Sequence, residues 1–159
     1  MFALEILYAA GYVDDVFKRI EEHADLDDGN IGMAAFASFV SAREKKDSAH
    51  NFCKNPLAFL YFSNISAHLE DTSKFSRELI GELDNIQTIW EPSTKTTNKG
   101  FQTPAQINLF SNPSQKMEQL KTIILNELNT YYSTFENDLC SFIQKWPSKK
   151  ILNGWYVVL

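Results

Sequence analysis

The chain has 159 residues, of which 44% are hydrophobic, 13% aromatic and 22% charged, so it carries enough apolar material for a folded core and too much for a disordered segment. Its net charge of −5, from 15 basic and 20 acidic residues, supplies no basic footprint to displace counterions from phosphates, and no nucleic-acid partner is expected. Two cysteines far apart, Cys53 and Cys140, predict free thiols in a reducing compartment, the cytoplasm.

The opening MFALEILYAA is apolar, but no basic residues precede it and an amphipathic stretch follows directly, so it reads as a helix rather than a signal peptide. No apolar run approaches the roughly 20 residues needed to span a bilayer, and no membrane partner is expected. Val13, Val16, Phe17 and Ile20 fall at i, i+3, i+4 and i+7, one face of a helix. With Phe2, Ile6 and Leu7 before Gly11, they predict a helical hairpin of the kind that tetratricopeptide arrays stack, although no internal repeat is visible.

The acidic turn Asp25–Asn30 imitates a calcium loop, yet Gly29 comes one place early and Phe36 stands where a bidentate Glu is required. It reads as a solvated loop whose Asn30 caps the next helix. That helix, from Ile31, is expected to turn Met33, Phe36, Phe39 and Val40 inward, with Arg43, Lys45 and Lys46 near its C-terminal end. Asn55-Pro56 has the chemistry of a helix start and predicts a helix from Pro56 to about Glu70, burying Leu57, Leu60, Tyr61 and Ile65. Phe75, Leu79, Leu83 and Ile86 continue with a further helix, capped by Thr72 or Ser73.

Two further local patterns imitate metal sites. His50 and Cys53 lack the other ligands of a structural zinc site. His23-Ala24-Asp25 has the His-x-Asp form of a non-haem iron site but ends a helix instead of lying on a strand. His68 is placed on a helix face at its solvent margin. None is assigned as a metal ligand.

After Trp90-Glu91-Pro92 the polar run STKTTNKG marks the boundary between a helical region, 1–90, and a β region, 101–159, with 91–100 as linker. From Phe101 the apolar residues alternate, Phe101, Thr103, Ala105, Ile107 and Leu109 against Gln102, Gln106 and Asn108, and predict a half-buried strand to Phe110. Pro104 makes it an edge or an irregular strand. Ser111-Asn112-Pro113-Ser114 then caps a long helix with an inner stripe of Met117, Leu120, Ile124, Leu128, Tyr131 and Phe135, and a break is expected at Asn137-Asp138. Residues Ile151–Leu159 read as a final strand. With one other clear strand to pair with, it would leave edge groups exposed, so the chain reads as truncated, the front part of a larger protein.

The succession HNFCKNPLAF, WEPSTKTTNKGFQTPAQINLF, a long helix, FIQKWP and LNGWYVVL resembles the tetratricopeptide-associated 2-oxoglutarate/Fe(II)-dependent oxygenases over roughly 27–159. Gly100-Phe101-Gln102-Thr103 matches the family's Gly-x-Gln-Thr element, and Gly154-Trp155 its Gly-Trp strand. The resemblance implies an α+β fold, predominantly α, in which repeat-like helix pairs precede the first strands and long helix of an incomplete double-stranded β-helix, or jelly roll. It also implies Fe(II) and 2-oxoglutarate for the full-length family. The family's His-x-His-Pro metal segment, its second histidine and its basic residue for 2-oxoglutarate have no counterpart here, so no catalytic, cofactor or metal residue is assigned and none of these cofactors is expected in this chain. Gln102, Thr103 and Asn108 are the candidates for polar residues at the mouth of the site, the alternative for Gln102 and Asn108 being the solvent face of an edge strand. The implied partner is the remainder of the oxygenase domain. The competing expectation is a non-catalytic module that binds a protein partner through its helical region.

Overall fold

The computed structural model describes residues 2–24, 30–50, 52–92 and 98–158. The Asp25–Gly29 part of the acidic turn, including the carboxylate of the His-x-Asp pair, lies outside them. The fold is α+β and predominantly α, with a three-stranded antiparallel sheet. Among the described residues no helix is long and apolar enough to cross a membrane. The chain divides into two compact units, each made of two stretches: Met1–Tyr61 with Tyr132–Trp146, and Phe62–Tyr131 with Pro147–Leu159.

In the first unit, helices α1 (Phe2–Ala9) and α2 (Val13–His23) form the expected hairpin. Gly11, at φ +86°, makes the turn that an L side chain rarely adopts. Helix α3 (Ile31–Glu44) starts where its sequence predicts, the Asn30 carboxamide oxygen accepting from Met33 N at 3.1 Å. The core joins Leu4, Val16, Phe17, Ile20, Met33, Ala37 and Val40. Phe39 is the exception to the predicted stripe: it is 52% exposed, with small Ala34 and Ala37 buried in its stead. Its ring stands edge-on to Tyr8 at 5.9 Å, at the margin of the core.

The helix expected over Pro56–Glu70 is not formed. Two 3-10 turns, Pro56–Phe59 and Ile65–His68, stand there with extended backbone at Leu60 and Asn64 between them. Asn55 makes no side-chain cap, whereas the Asn64 oxygen accepts from Ser66 N at 2.9 Å and starts the second turn. The helical stripe also loses to a distant partner. Leu57 and Leu60 are exposed, and Phe59 packs against Phe135 and Phe142 at 5.2 and 5.7 Å. Helix α6 (Ser141–Gln144) holds Phe142 in this cluster, and Trp146, just after it, stacks on Tyr132 at 5.7 Å.

In the second unit, helix α4 (Thr72–Leu83) is capped one residue before the predicted positions, by Asp71, whose carboxylate accepts from Lys74 N at 2.8 Å. A strand then appears inside the stretch expected to be helical: β1 (Ile89–Trp90) pairs with β2 (Phe101–Gln102), which pairs with β3 (Val157–Val158). Residues 91–100, read as an interdomain linker, thus connect two paired strands of one unit, with Glu91 N donating to Gly100 O at 3.0 Å.

The strand expected over Phe101–Phe110 lasts two residues, and that over Ile151–Leu159 likewise two. Pro104 explains the first. Without an N–H it cannot continue the ladder, and the chain folds into consecutive turns closed by Ile107 N to Pro104 O and Ser111 N to Asn108 O, both 3.0 Å. The alternation fails as well, since Phe101 is 44% exposed while Gln102 is 2% exposed. Helix α5 (Gln115–Phe135) follows, with Ser114 Oγ accepting from Met117 N at 3.3 Å, and it ends before the predicted break. Buried Phe75, Met117 and Ile123 supply this unit's apolar interior.

Candidate functional site

The three polar residues singled out by the sequence lie in the second unit, where β2 and the turns after it meet the segment leading into β3. Gln102 is buried on β2, its cross-strand neighbours being Ile89 and Val157, so it does not lie on a solvent face. Thr103 has no exposed surface. Its backbone N–H donates to Tyr156 O at 3.0 Å, and its Oγ1 accepts from Tyr156 N at 3.2 Å. A threonine here extends the ladder by one residue after the strand has ended.

Asn108 is half-buried and uses both ends of its carboxamide. Nδ2 donates to Leu152 O and to Asn153 Oδ1, each at 3.1 Å. Oδ1 accepts from Gly154 N at 3.0 Å and from Phe110 N at 3.1 Å. With Leu109 N donating to Gly154 O at 3.0 Å, the side chain ties the turn at residues 108–111 to residues 152–154. Gly154 is required at this contact: a Cβ there would stand 2.7 Å from Cε2 of the Phe110 ring. Asn108 also borders a cleft of about 410 Å³, lined further by Glu82, Ile86, Gln106, Ser111 and Ser114.

Polar contacts stitch the surroundings of this junction. Tyr156 Oη donates to Asp84 Oδ1 at 2.7 Å, a bond that raises the phenol's pKa because the carboxylate favours the protonated partner. Lys116 Nζ lies 2.6 Å from Glu78 and holds that carboxyl below its usual range. Ser114 Oγ donates to Glu82.

The histidines are engaged elsewhere. His50 is 3% exposed in the first unit and its Nδ1 accepts from Phe52 N at 3.3 Å. His68 lies in a 3-10 turn of the second unit instead of on the expected helix face, and its Nε2 pairs with Glu127. His23 is exposed at the end of α2 and borders an apolar cleft of about 540 Å³ between α1, α2 and α3, with Arg19 and Asn30 at its polar side. Among the described residues no group of three His, Cys, Asp or Glu side chains could hold a metal ion. These residues do not fit a facial triad, which needs two imidazoles and a carboxylate converging on one point. The arrangement around Asn108 is suited to holding two chain segments in register.

No family model, curated protein or solved structure matches the chain.

Proposed function

We propose that the chain is the scaffold part of a cytoplasmic 2-oxoglutarate- and Fe(II)-dependent dioxygenase of the tetratricopeptide-associated class, without the metal site. In this reading repeat-like helix pairs brace a double-stranded β-helix that opens at Phe101, and the remainder of the oxygenase domain is the chain's first partner. One observation carries the reading. The two stretches on which the resemblance rests, Gly100–Thr103 and Gly154–Trp155, are far apart in sequence and adjacent in space, joined through Thr103, Tyr156 and Asn108. Adjacency of opening and later strands is what a closed β domain requires of them.

Sequencing the transcript beyond the Leu159 codon tests the proposal. An open frame running into a His-x-His-Pro segment is expected, and an in-frame stop at that codon would overturn it. The isolated chain, given Fe(II) and 2-oxoglutarate, is expected to consume no oxygen; saturable, stoichiometric iron binding with oxygen uptake would remove the scaffold role.

A second reading, a helical module that binds a protein, draws support from the first unit. Phe2, Ile6 and Ile31 are 76%, 55% and 72% exposed, and Ile6 also borders the cleft between the first three helices. A stop codon after Leu159, together with a purified partner whose affinity falls at least tenfold in Ile6→Asp, would favour this reading over the first.

A further inference from the structure

Asn153-Gly154 is the single Asn-Gly pair in the sequence. Such a pair carries its own chemistry, because glycine has no side chain to crowd its N–H, and that nitrogen can attack the carboxamide carbon of the preceding asparagine. Here both partners of the attack are held by one side chain. Asn108 Oδ1 accepts from Gly154 N at 3.0 Å, and Asn108 Nδ2 donates to Asn153 Oδ1 at 3.1 Å. The Asn108 carboxamide thus bridges the nucleophile and the carbonyl. Asn153 is exposed, so water and hydroxide reach its side chain, whereas Gly154 is half-buried beside the Phe110 ring.

The two bonds act in opposite directions. Donation to Asn153 Oδ1 polarises the carbonyl and favours attack, but on an exposed group water supplies the same donor, so little is gained over the open state. Donation from Gly154 N has no such substitute. The attack needs base to remove the amide proton, and a proton committed to a protein acceptor is removed only after its bond opens, as in hydrogen exchange. The retarding bond therefore prevails.

We propose that Asn153 is a deamidation site that Asn108 keeps closed. When the contact opens, hydroxide takes the Gly154 amide proton and the nitrogen attacks Asn153 Cγ. The Cγ–Nδ2 bond breaks, Nδ2 leaves as ammonia with a proton from water, and a cyclic imide joins the Asn153 side chain to Gly154 N. Water then adds to either imide carbonyl, that carbon's bond to the Gly154 nitrogen breaks, the nitrogen recovers a proton, and an aspartyl or isoaspartyl residue remains. One water is consumed and one ammonia released, with no change of oxidation state. The isoaspartyl product lengthens the main chain by one carbon at a place without slack, since even a Cβ on Gly154 would stand 2.7 Å from the Phe110 ring. It disrupts the bond from Leu109 N to Gly154 O, 3.0 Å in the intact chain. The modification thereby makes an opening of this junction permanent.

The test ages the full chain in mildly alkaline buffer, native and in guanidinium chloride. Mass spectrometry follows the peptide that contains Asn153, and enzymatic methylation counts isoaspartate. The unfolded chain is expected to deamidate at Asn153 before any other asparagine, and the native chain to do so roughly tenfold or more slowly. Two variants separate the hydrogen bond from stability. Asn108→Ala removes the acceptor and is expected to speed the native rate several-fold. Asn108→Asp keeps an acceptor for Gly154 N while losing the donor end, and at equal or lower stability it is expected to deamidate more slowly than Asn108→Ala. Equal rates in the native and unfolded wild-type chain would overturn the proposal, as would equal rates in the two variants or no product at Asn153 in the unfolded chain. If a variant fails to fold, amide hydrogen exchange at Gly154 in the wild-type chain decides: exchange slowed in step with deamidation supports the gate, and fast exchange at a slowly deamidating site removes Asn108 from it.

Discussion

At the scale of single residues, Asn108 does most to hold the second unit's long-range contacts together. A carboxamide is the smallest side chain that offers two donors and two acceptor lone pairs, and here Nδ2 serves Leu152 and Asn153 while Oδ1 serves Phe110 and Gly154. Asn108→Ala is expected to cost about 2 kcal/mol, since partly buried backbone groups lose their partners, and urea denaturation would measure it. Asn108→Asp tests the mechanism more finely. It keeps the acceptor for Gly154 and Phe110 but turns an oxygen toward Leu152 O, so it is expected to be no better than Ala; wild-type stability would show that the donor end contributes nothing. The sequence marks Asn108 as polar on a strand and so as a candidate site residue, but three of its partners, Leu152, Asn153 and Gly154, lie more than forty positions away, beyond any local pattern. Thr103 was legible in the same limited way: its type and place were evident, its use against Tyr156 was not.

At the scale of elements, the helices with a complete apolar face were legible and the short strands were not. In α2, Val16, Phe17 and Ile20 recur at helical spacing, and all three are buried. A strand of two residues has no period to read, which is why β1 escaped notice beside the apparent boundary at Pro92. The segment Pro56–Glu70 misled for another reason. Its helical pattern was real, but Phe59 gains more from Phe135 and Phe142 than a stripe of Leu57 and Leu60 would gain on a solvent-facing helix. The contact between the turn at 108–111 and the approach to β3 yields an element-scale expectation. Gly154→Ala places a methyl 2.7 Å from the Phe110 ring and is expected to destabilise by roughly 1–3 kcal/mol through overpacking. Phe110→Leu in the same chain, by vacating the ring edge, is expected to recover part of that loss in a double-mutant cycle. Strict additivity would show that the two residues do not meet.

At the scale of the whole molecule, surface pairs set the response to pH. The Lys116 and Lys54 ammonium groups hold Glu78 and Asp47 below the usual carboxylate range, so each pair's contribution is present above the unfolded carboxyl value near about pH 4 and is lost as pH falls through the lower folded value. Tyr8 and Tyr156, hydrogen-bonded to Glu44 and Asp84, are raised instead. Their contributions are present below the unfolded phenol value near about pH 10 and are lost as pH rises through the folded values. Urea midpoints across pH are therefore expected to form a plateau that falls on both sides, with the alkaline fall reduced in Tyr156→Phe. An alkaline limb unchanged by that substitution would remove Tyr156 from the explanation.

The division of each unit into two stretches of chain also bears on how the protein is made. A nascent chain that has emerged through Tyr131 carries α1 to α3, whose hairpin and core are local and can form at once. It also carries Phe52 and Phe59 with their partners Phe135 and Phe142 still to emerge. Neither unit can close until the ribosome has passed Tyr132. During that interval Phe52 and Phe59 lack their ring contacts with Phe135 and Phe142, and a chaperone that engages short apolar segments has its best opportunity there.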